Sequence, residues 1–370
     1  MSQTRALFLL PSLDGGGAER VLVTLLKHIS PHDLELHLAV FDHRGAFLDE
    51  VPADVTVHDL KSPRVSRGWL ALLRTIWRLR PDVVLSTTTH VNLAASLLRP
   101  LMPARTRLVL RETIVGEHLA QQRSLLRPGP RGVGRIYRLA DTIVCQSEYM
   151  RTDLAAGFGL PADKLVRIYN PVDFDRVERL ACEGGDPFES NSTGPHVVAV
   201  GSLQNVKGFD RLIVSFRELV AAQPDARLWI LGQGPLEQEL KQLAARQGIG
   251  GRVFFPGFQS NPFRWLRHAD LFVLSSRFES APNALLEAVA CGCPVVALEH
   301  QGGTRELLQN LGLASRMVES LAPWQPNWFD RLPTTARERA REHFSVARIA
   351  DRYTAVLCGK RAERLERKAA

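Results

Sequence analysis

Two periods alternate along the chain. Ala6–Ser12, Leu34–Phe41, Val55–Leu60, Asp82–Thr88, Thr106–Glu112 and Asp141–Ser147 are short runs rich in Leu, Val and Ile. Such near-continuous apolar runs are the pattern of strands buried on both faces. Between them lie stretches with helical spacing. Ala18–Ile29 places Val21, Leu22, Leu25, Leu26 and Ile29 on one side, and Gly68–Arg80 is amphipathic with arginines on its polar side. The alternation pauses at Ala181–Pro195, a Gly, Ser, Pro and Asn-rich stretch, and then restarts. Strand His196–Leu203, helix Phe209–Ala222, strand Arg227–Gly234 and helix Pro235–Gln247 follow, then three strand-like runs, VFFPGF, ADLFVLSS and PVVAL. From Thr335 to about Glu366 the chain reads as helical and heavily charged. This order predicts an α/β protein with two Rossmann-like domains, their parallel sheets facing across a central cleft. The expected boundaries are 1–175 for the first domain, 176–195 for a linker, 196–345 for the second domain, and 346–370 for a C-terminal helix able to return to the first.

Ligands of such sheets sit beyond the carboxyl ends of the strands. DGGG, GSLQNVKG, GQG and RFES all fall there. The last opens the stretch RFESAPNALLEAVACGCPVVAL, which holds two carboxylates, Glu279 and Glu287. Ser280 reads as a helix N-cap and Pro282 as a first-turn proline, with Gly292 and Pro294 ending the helix. Glu279 is then expected in the loop before the helix, and Glu287 about 9–10 Å further along at the helical rise. Eight residues is not a one-face spacing, so the pair does not read as two ligands of one metal. Amides near Asn283 and Ala284, with the helix dipole, form an anion site between the two carboxylates. The ligand that fits is long, hydroxylated at both ends and phosphorylated in the middle, as a nucleotide sugar is. Taken singly, either glutamate is more simply a solvated charge. Glu287 resists that reading because its helix holds almost no other polar residue. Lys207 lies after a strand and a short loop, just before Phe209, where a cation faces a phosphate more plausibly than bulk solvent.

Charge adds a partner. The chain of 370 residues has a formal net charge of +8, unevenly placed. From Lys61 to Arg138 there are fifteen Lys and Arg against three acids, Asp82, Glu112 and Glu117. An anionic membrane surface or an acidic substrate fits such a block. Nucleic acid does not, since no recognition motif accompanies the charge. Trp69 and Trp77 share the arginine-bearing helix, and at least one is expected in the core. No apolar run is long enough to span a bilayer, and Ala6–Leu10 is too short for a signal segment. The expected location is cytoplasmic, or peripheral on the inner face of the cytoplasmic membrane. Five cysteines without framework spacing read as reduced thiols. Asp173-Phe174-Asp175 is an Asp-x-Asp triplet out of strand context, taken as chance. Gly15 and Gly17 fit a dinucleotide fingerprint, but its third glycine is Arg20 here. His118, His268 and His300 read as structural or exposed. No metal and no cofactor is expected.

The residues GSLQNVKGFDRLI, LWILGQGPLEQEL and FFPGF…ADLFVLSSRFESAPNALLEAVACGCPVVAL resemble the C-terminal domain of family 4 glycosyltransferases, and DGGGAER and IYNPVD resemble their N-terminal domain and hinge entry. The resemblance implies a GT-B fold, with an acceptor-side N-terminal domain, and a nucleotide-sugar donor, here a UDP-sugar. It also implies retention at the anomeric carbon and a glycan or lipid-linked acceptor in cell-surface polysaccharide or lipopolysaccharide biosynthesis. It assigns Glu279 to sugar hydroxyls near the reacting carbon, Lys207 to the diphosphate and Glu287 to the ribose. Ser280, Asn283, Ala284, Gly201, Ser202, Gly232, Gly257 and Phe258 join the donor side, and Gly16, Gly17, Arg111 and Glu112 the acceptor or phosphate side. Ser202 departs from a pattern that often has arginine there, and Glu279-Ser280-Ala281-Pro282 replaces Glu-Gly-Phe-Pro. The alternatives are an epimerase of the same fold and a non-catalytic glycan-binding relative.

Overall fold

The computed structural model describes residues 3–14, 16–113, 129–188 and 193–360. Gly15, Glu117, His118 and the chain beyond Lys360, all used in the expectations above, lie outside them. The chain divides into two compact units, Met1–Pro171 with Val346–Ala370, and Val172–Ser345.

The first unit is built on seven strands: β1 (Thr4–Leu10), β2 (Leu34–Val40), β3 (Thr56–Asp59), β4 (Val83–Thr87), β5 (Arg107–Arg111), β6 (Thr142–Cys145) and β7 (Leu165–Arg167). They pair in parallel in the order β3-β2-β1-β4-β5-β6-β7. Ala6 to Leu10 are wholly buried. That burial on both faces explains why β1 reads as a continuous apolar run. The helix Gly17–His28 seats Val21, Leu22, Leu25 and Leu26 in the core, the spacing its sequence shows.

The second unit holds β8 (His196–Val200), β9 (Arg227–Leu231), β10 (Val253–Gly257), β11 (Leu271–Leu274), β13 (Val295–Leu298) and β15 (Met317–Val318), ordered β10-β9-β8-β11-β13-β15. A separate two-stranded piece pairs β12 (Phe278–Glu279) with β14 (Gln301–Gly302) in parallel. The Trp-rich stretch before Pro333 closes this unit's core: Trp328 is buried, and the Trp324 indole N–H donates to the Ser215 carbonyl at 2.9 Å.

Each sheet reverses its direction of winding once, between β1 and β4 in the first unit and between β8 and β11 in the second. Crevices at such switch points are where doubly wound sheets bind ligands. The chain just after β8 and β11 therefore carries the greatest functional interest.

One expectation is corrected. The supposed linker 176–195 begins inside a helix, Phe174–Cys182, which buries Phe174, Val177 and Ala181. Asp173, the first residue of the Asp-x-Asp triplet, is its N-cap and accepts from the Arg176 N–H at 3.0 Å, while Asp175 is 95% exposed. Capping explains the triplet without a metal role. The charged C-terminal run is two helices, Thr334–Phe344 and Val346–Leu357, broken at Ser345, which bridges Val172. Val346–Leu357 belongs to the first unit. There the Arg107 guanidinium donates to the carbonyls of Val356, at 3.0 Å, and Leu357.

Candidate active site

In the second unit, three glycines stand at the carboxyl ends of adjacent strands. Gly201 follows β8, Gly232 follows β9, and Gly257 ends β10. Gly232 has φ +143°, and a Cβ there would fall 1.9 Å from the Gly201 carbonyl oxygen. Only glycine allows this approach. The Gly232 N–H donates to the Gly257 carbonyl at 2.9 Å, so the three form one backbone floor. Ser202 is exposed beside it, and Phe258 is 43% exposed.

Lys207 ends a short turn, Asn205–Lys207, and Gly208 leads into the helix Phe209–Ala222 at φ +63°. A Cβ on Gly208 would meet the Ser275 carbonyl oxygen at 2.1 Å. The chain leaving β11 is tied to this turn from both sides. The Ser275 hydroxyl donates to the Lys207 carbonyl at 2.9 Å, and Arg211 Nη2 donates to the carbonyls of Ser275 and Ser276 at 2.6 and 2.7 Å. The Arg277 guanidinium grips the Asp210 carboxylate at 2.7 and 2.5 Å and the Asn205 carbonyl at 2.9 Å. The hydrogen bonds from Arg277 hold the Asp210 carboxyl below the usual carboxylate range.

These ties bring the sequence-distant pair together. Lys207 Nζ lies 2.5 Å from Glu279 Oε1, which also accepts from the Ser276 hydroxyl at 2.7 Å. The two side chains are 25% and 13% exposed, so the pair is partly desolvated yet reachable. Glu279 is not in a loop as expected. It sits in β12, paired with Gly302 of β14, and its carbonyl accepts from the Gly303 N–H at 2.9 Å. The helix carrying Glu287 is Asn283–Ala290, and its N-cap is Pro282, whose extended backbone halts the helix there, rather than Ser280. Ser280 is buried, Asn283 and Ala284 open the helix half-buried, and Glu287 is half-buried one turn on. Chemically, the site offers a cation and a carboxylate acceptor beside the N-terminus of the helix Asn283–Ala290.

In the first unit, Gly16 and Gly17 are exposed at the start of the helix Gly17–His28. The Glu19 carboxylate folds back over Gly16, close enough that a Cβ there would be 2.3 Å from Oε2. Burial raises the Glu19 carboxyl, opposed by its own backbone N–H and by the positive charge of Arg111. Arg111 ends β5 and Glu112 follows it; they are 1% and 2% exposed. Arg111 donates to Asn170 Oδ1 at 2.7 Å and to Thr87 Oγ1 at 3.3 Å. The Glu112 carboxylate accepts from Thr89 Oγ1 and the Thr113 N–H at 2.8 and 2.7 Å, and from the Tyr137 hydroxyl. These two residues tie the ends of β4 and β5 to Asn170 and Tyr137. Thr88, between them and β4, holds φ +67°, a strained conformation for a β-branched residue at a switch point.

The basic segment carries an exposed apolar stripe. Trp69, Leu70 and Trp77 are 43%, 44% and 49% exposed, so neither tryptophan is core. Leu70, Arg74 and Trp77 share one helix face by their spacing. The Trp77 indole N–H donates to the Leu101 carbonyl at 2.9 Å, which brings exposed Leu101 beside it. The apolar spacing put these rings on a helix correctly, but the sequence has no signal that tells a ring facing solvent from one facing the sheet.

Sequence reasoning missed Ser276, Asp210, Arg211, Arg277 and Glu19. Arg277 and Asp210 lie 67 positions apart and could not be paired from one sequence. Among the described residues no cluster of three or more His, Cys, Asp or Glu could hold a metal, and the cysteines are free. No described helix is long and apolar enough to cross a membrane.

Two doubly wound units, with a cation–carboxylate pair at the switch point of the second, define the α/β architecture. Residues 15–176 match Glycosyltransferase Family 4 and residues 194–322 match Glycosyl transferases group 1. The chain belongs to the family 4 glycosyltransferases and is a glycosyltransferase. It is 28% identical over 316 residues to the N-acetylgalactosamine-N,N'-diacetylbacillosaminyl-diphospho-undecaprenol 4-alpha-N-acetylgalactosaminyltransferase of Campylobacter jejuni, covering 80% of this chain and 81% of that one. It is 29% identical over 261 residues to the lipopolysaccharide core biosynthesis glycosyltransferase LpsE of Rhizobium meliloti, covering 65% and 74%. Among solved structures, Anabaena HepE in complex with UDP and glucose superposes with a TM-score of 0.74 at 21% identity, covering 96% of this chain and all of that one. That likeness carries the GT-B fold. The epimerase alternative finds no support among these relatives.

Proposed function

We propose that the protein transfers a sugar, with retention, from a UDP-sugar to a glycan or lipid-linked acceptor in bacterial surface polysaccharide or lipopolysaccharide assembly. The Lys207–Glu279 contact carries this reading. In this pair the two charges satisfy each other. A donor would separate their duties: its diphosphate takes Lys207 and the first-turn amides, and its sugar hydroxyls donate to Glu279. As the glycosidic bond breaks, negative charge grows on the diphosphate, and Lys207 stabilises it in a partly dehydrated setting. The leaving phosphate takes the acceptor proton, with attack on the face it leaves, so no protein nucleophile is needed. Glu287 is assigned to the ribose hydroxyls and the floor Gly201, Gly232 and Gly257 to close passage of the nucleotide. The names of the Campylobacter and Rhizobium relatives support the acceptor class, and the UDP complex of HepE the donor class.

The domain division of donor and acceptor duties is part of this proposal, as is a peripheral site on an anionic membrane. Leu70, Trp77 and Leu101 among arginines match an interface that is apolar below and negatively charged above. A thermal-shift screen of nucleotide sugars, followed by transfer assays with Glu279→Ala, tests the core reading. Stabilisation by a UDP-sugar and loss of transfer in the variant are expected. Full transfer by Glu279→Ala would overturn it.

A further inference from the structure

His300 is a titratable group that the reading above leaves without a task. It lies in the loop between β13 and β14, one residue before the bridge in which Gln301 faces Phe278 and Gly302 faces Glu279. Its Nδ1 is 2.8 Å from the Gln301 carbonyl oxygen. A carbonyl only accepts, so Nδ1 carries the hydrogen and the neutral ring keeps its lone pair at Nε2. Nε2 is buried and finds no partner among the described residues. A buried polar atom left this way is costly unless a ligand completes it.

The charges that act on the ring are Glu279 of β12, Lys207 of the turn, and Arg211 of the helix Phe209–Ala222, while the adjacent Glu299 pairs with Arg305. Burial holds the imidazole below its ordinary value, the Gln301 carbonyl and Glu279 oppose that, and Arg211 and Lys207 reinforce it. Each neighbouring cation already has partners, although the buried Arg211 Nε has none among the described residues. Lys207 meets Glu279, Arg277 meets Asp210, and Arg211 spends Nη2 on two backbone carbonyls. A diphosphate entering here needs more compensation than Lys207 alone gives once Glu279 is counted.

We propose that His300 is a donor-binding residue that takes a proton from solvent as the diphosphate arrives and donates the new Nε2–H to a phosphate oxygen. The inference rests on the nucleotide-sugar reading. The phosphate charge offsets Lys207 and Arg211, which removes the two groups that disfavour imidazolium, and adds an anion that favours it. Glu279 remains an anionic neighbour throughout. The linkage has a definite sign: the free ring binds its proton less tightly than the bound ring, so donor affinity rises as pH falls between the two. Each unit by which binding raises the histidine tightens the donor by about tenfold at the acid end of that window.

The test is isothermal titration calorimetry of the full chain with UDP-glucose, whose diphosphate diester has no group titrating near neutrality. Runs at neutral pH in two buffers of different ionisation enthalpy measure proton uptake, and a pH series measures affinity. Wild type should absorb a fraction of a proton and bind more tightly at about pH 6 than at about pH 8. His300→Gln should absorb none and show a flat pH profile with affinity weakened about tenfold, its melting temperature serving as the folding check. Absence of proton uptake by wild type overturns the proposal even if no variant folds, and so does an equal pH slope in His300→Gln, which would assign the proton elsewhere. If Lys207→Ala binds as well as wild type, or wild type binds no UDP-sugar, the donor reading itself fails and takes this inference with it.

Discussion

Gly302→Ala isolates how Glu279 is placed, because it alters no group assigned to the ligand. Gly302 has φ +138°, and a Cβ there would lie 2.0 Å from the Glu279 carbonyl oxygen and 2.9 Å from its carbon. Ordinary contact begins near 3.4 Å, so the overlap exceeds an ångström. Backbone in this region costs a non-glycine residue about 1–3 kcal/mol. The strain has an easy outlet. β12 and β14 are two residues each and stand apart from the six-stranded sheet, so they part before the core yields. Glu279 then shifts from Lys207 by a distance of the order of the overlap. Misplacement by about 1 Å costs on the order of 100-fold in rate. Differential scanning fluorimetry should show a small fall in melting temperature, while initial-rate transfer falls by about two orders of magnitude. Wild-type transfer with an unchanged melting temperature would refute the reasoning, since the bridge would then have no part in holding the carboxylate.

Lys207→Ala should weaken UDP-sugar binding and lower the transfer rate together, by about 100-fold in rate, as expected for loss of one charge-stabilising group, read by calorimetry and initial rates. Tyr137→Phe leaves the buried Glu112 carboxylate short of a donor and should destabilise the fold by about 1–3 kcal/mol in urea unfolding, with the surviving transfer unchanged per folded molecule. Asp210 is held below its ordinary value by Arg277. Its contribution is therefore present above the unfolded carboxylate value and is lost as pH falls through the folded one, so Asp210→Asn should flatten the acid limb of stability below about pH 4. Arg74→Glu with Trp77→Ala should abolish salt-sensitive binding to anionic vesicles in a flotation assay. Equal binding of wild type to neutral and anionic vesicles would refute the membrane proposal.

The sheets were legible because their strands are buried on both faces and read as unbroken apolar runs. β7 and β12 escaped because strands of three and two residues have too little pattern to stand out. The helix Phe174–Cys182 was hidden by the polar stretch that follows it. In the site, Lys207 and Glu279 were legible as chemistry but not as a contact, since their meeting depends on the ties from Arg211 and Arg277 to chain beyond β11. The resemblance put Arg111 and Glu112 on the acceptor or phosphate side, and their contacts with Asn170, Thr87, Thr89 and Tyr137 were not legible in the sequence. His300 read as inert because a lone histidine carries no sign of what lies around its ring.

The helix Val346–Leu357 belongs with a unit made long before it, since Arg107, 249 positions earlier than Val356, closes on its last carbonyls and Tyr353 is wholly buried in the first unit. During synthesis, the N-terminal sheet must leave the ribosome lacking a wall that is translated only after the second unit is complete. The unit made first is thus finished last, and its waiting edge is the stretch on which a chaperone would have longest to act.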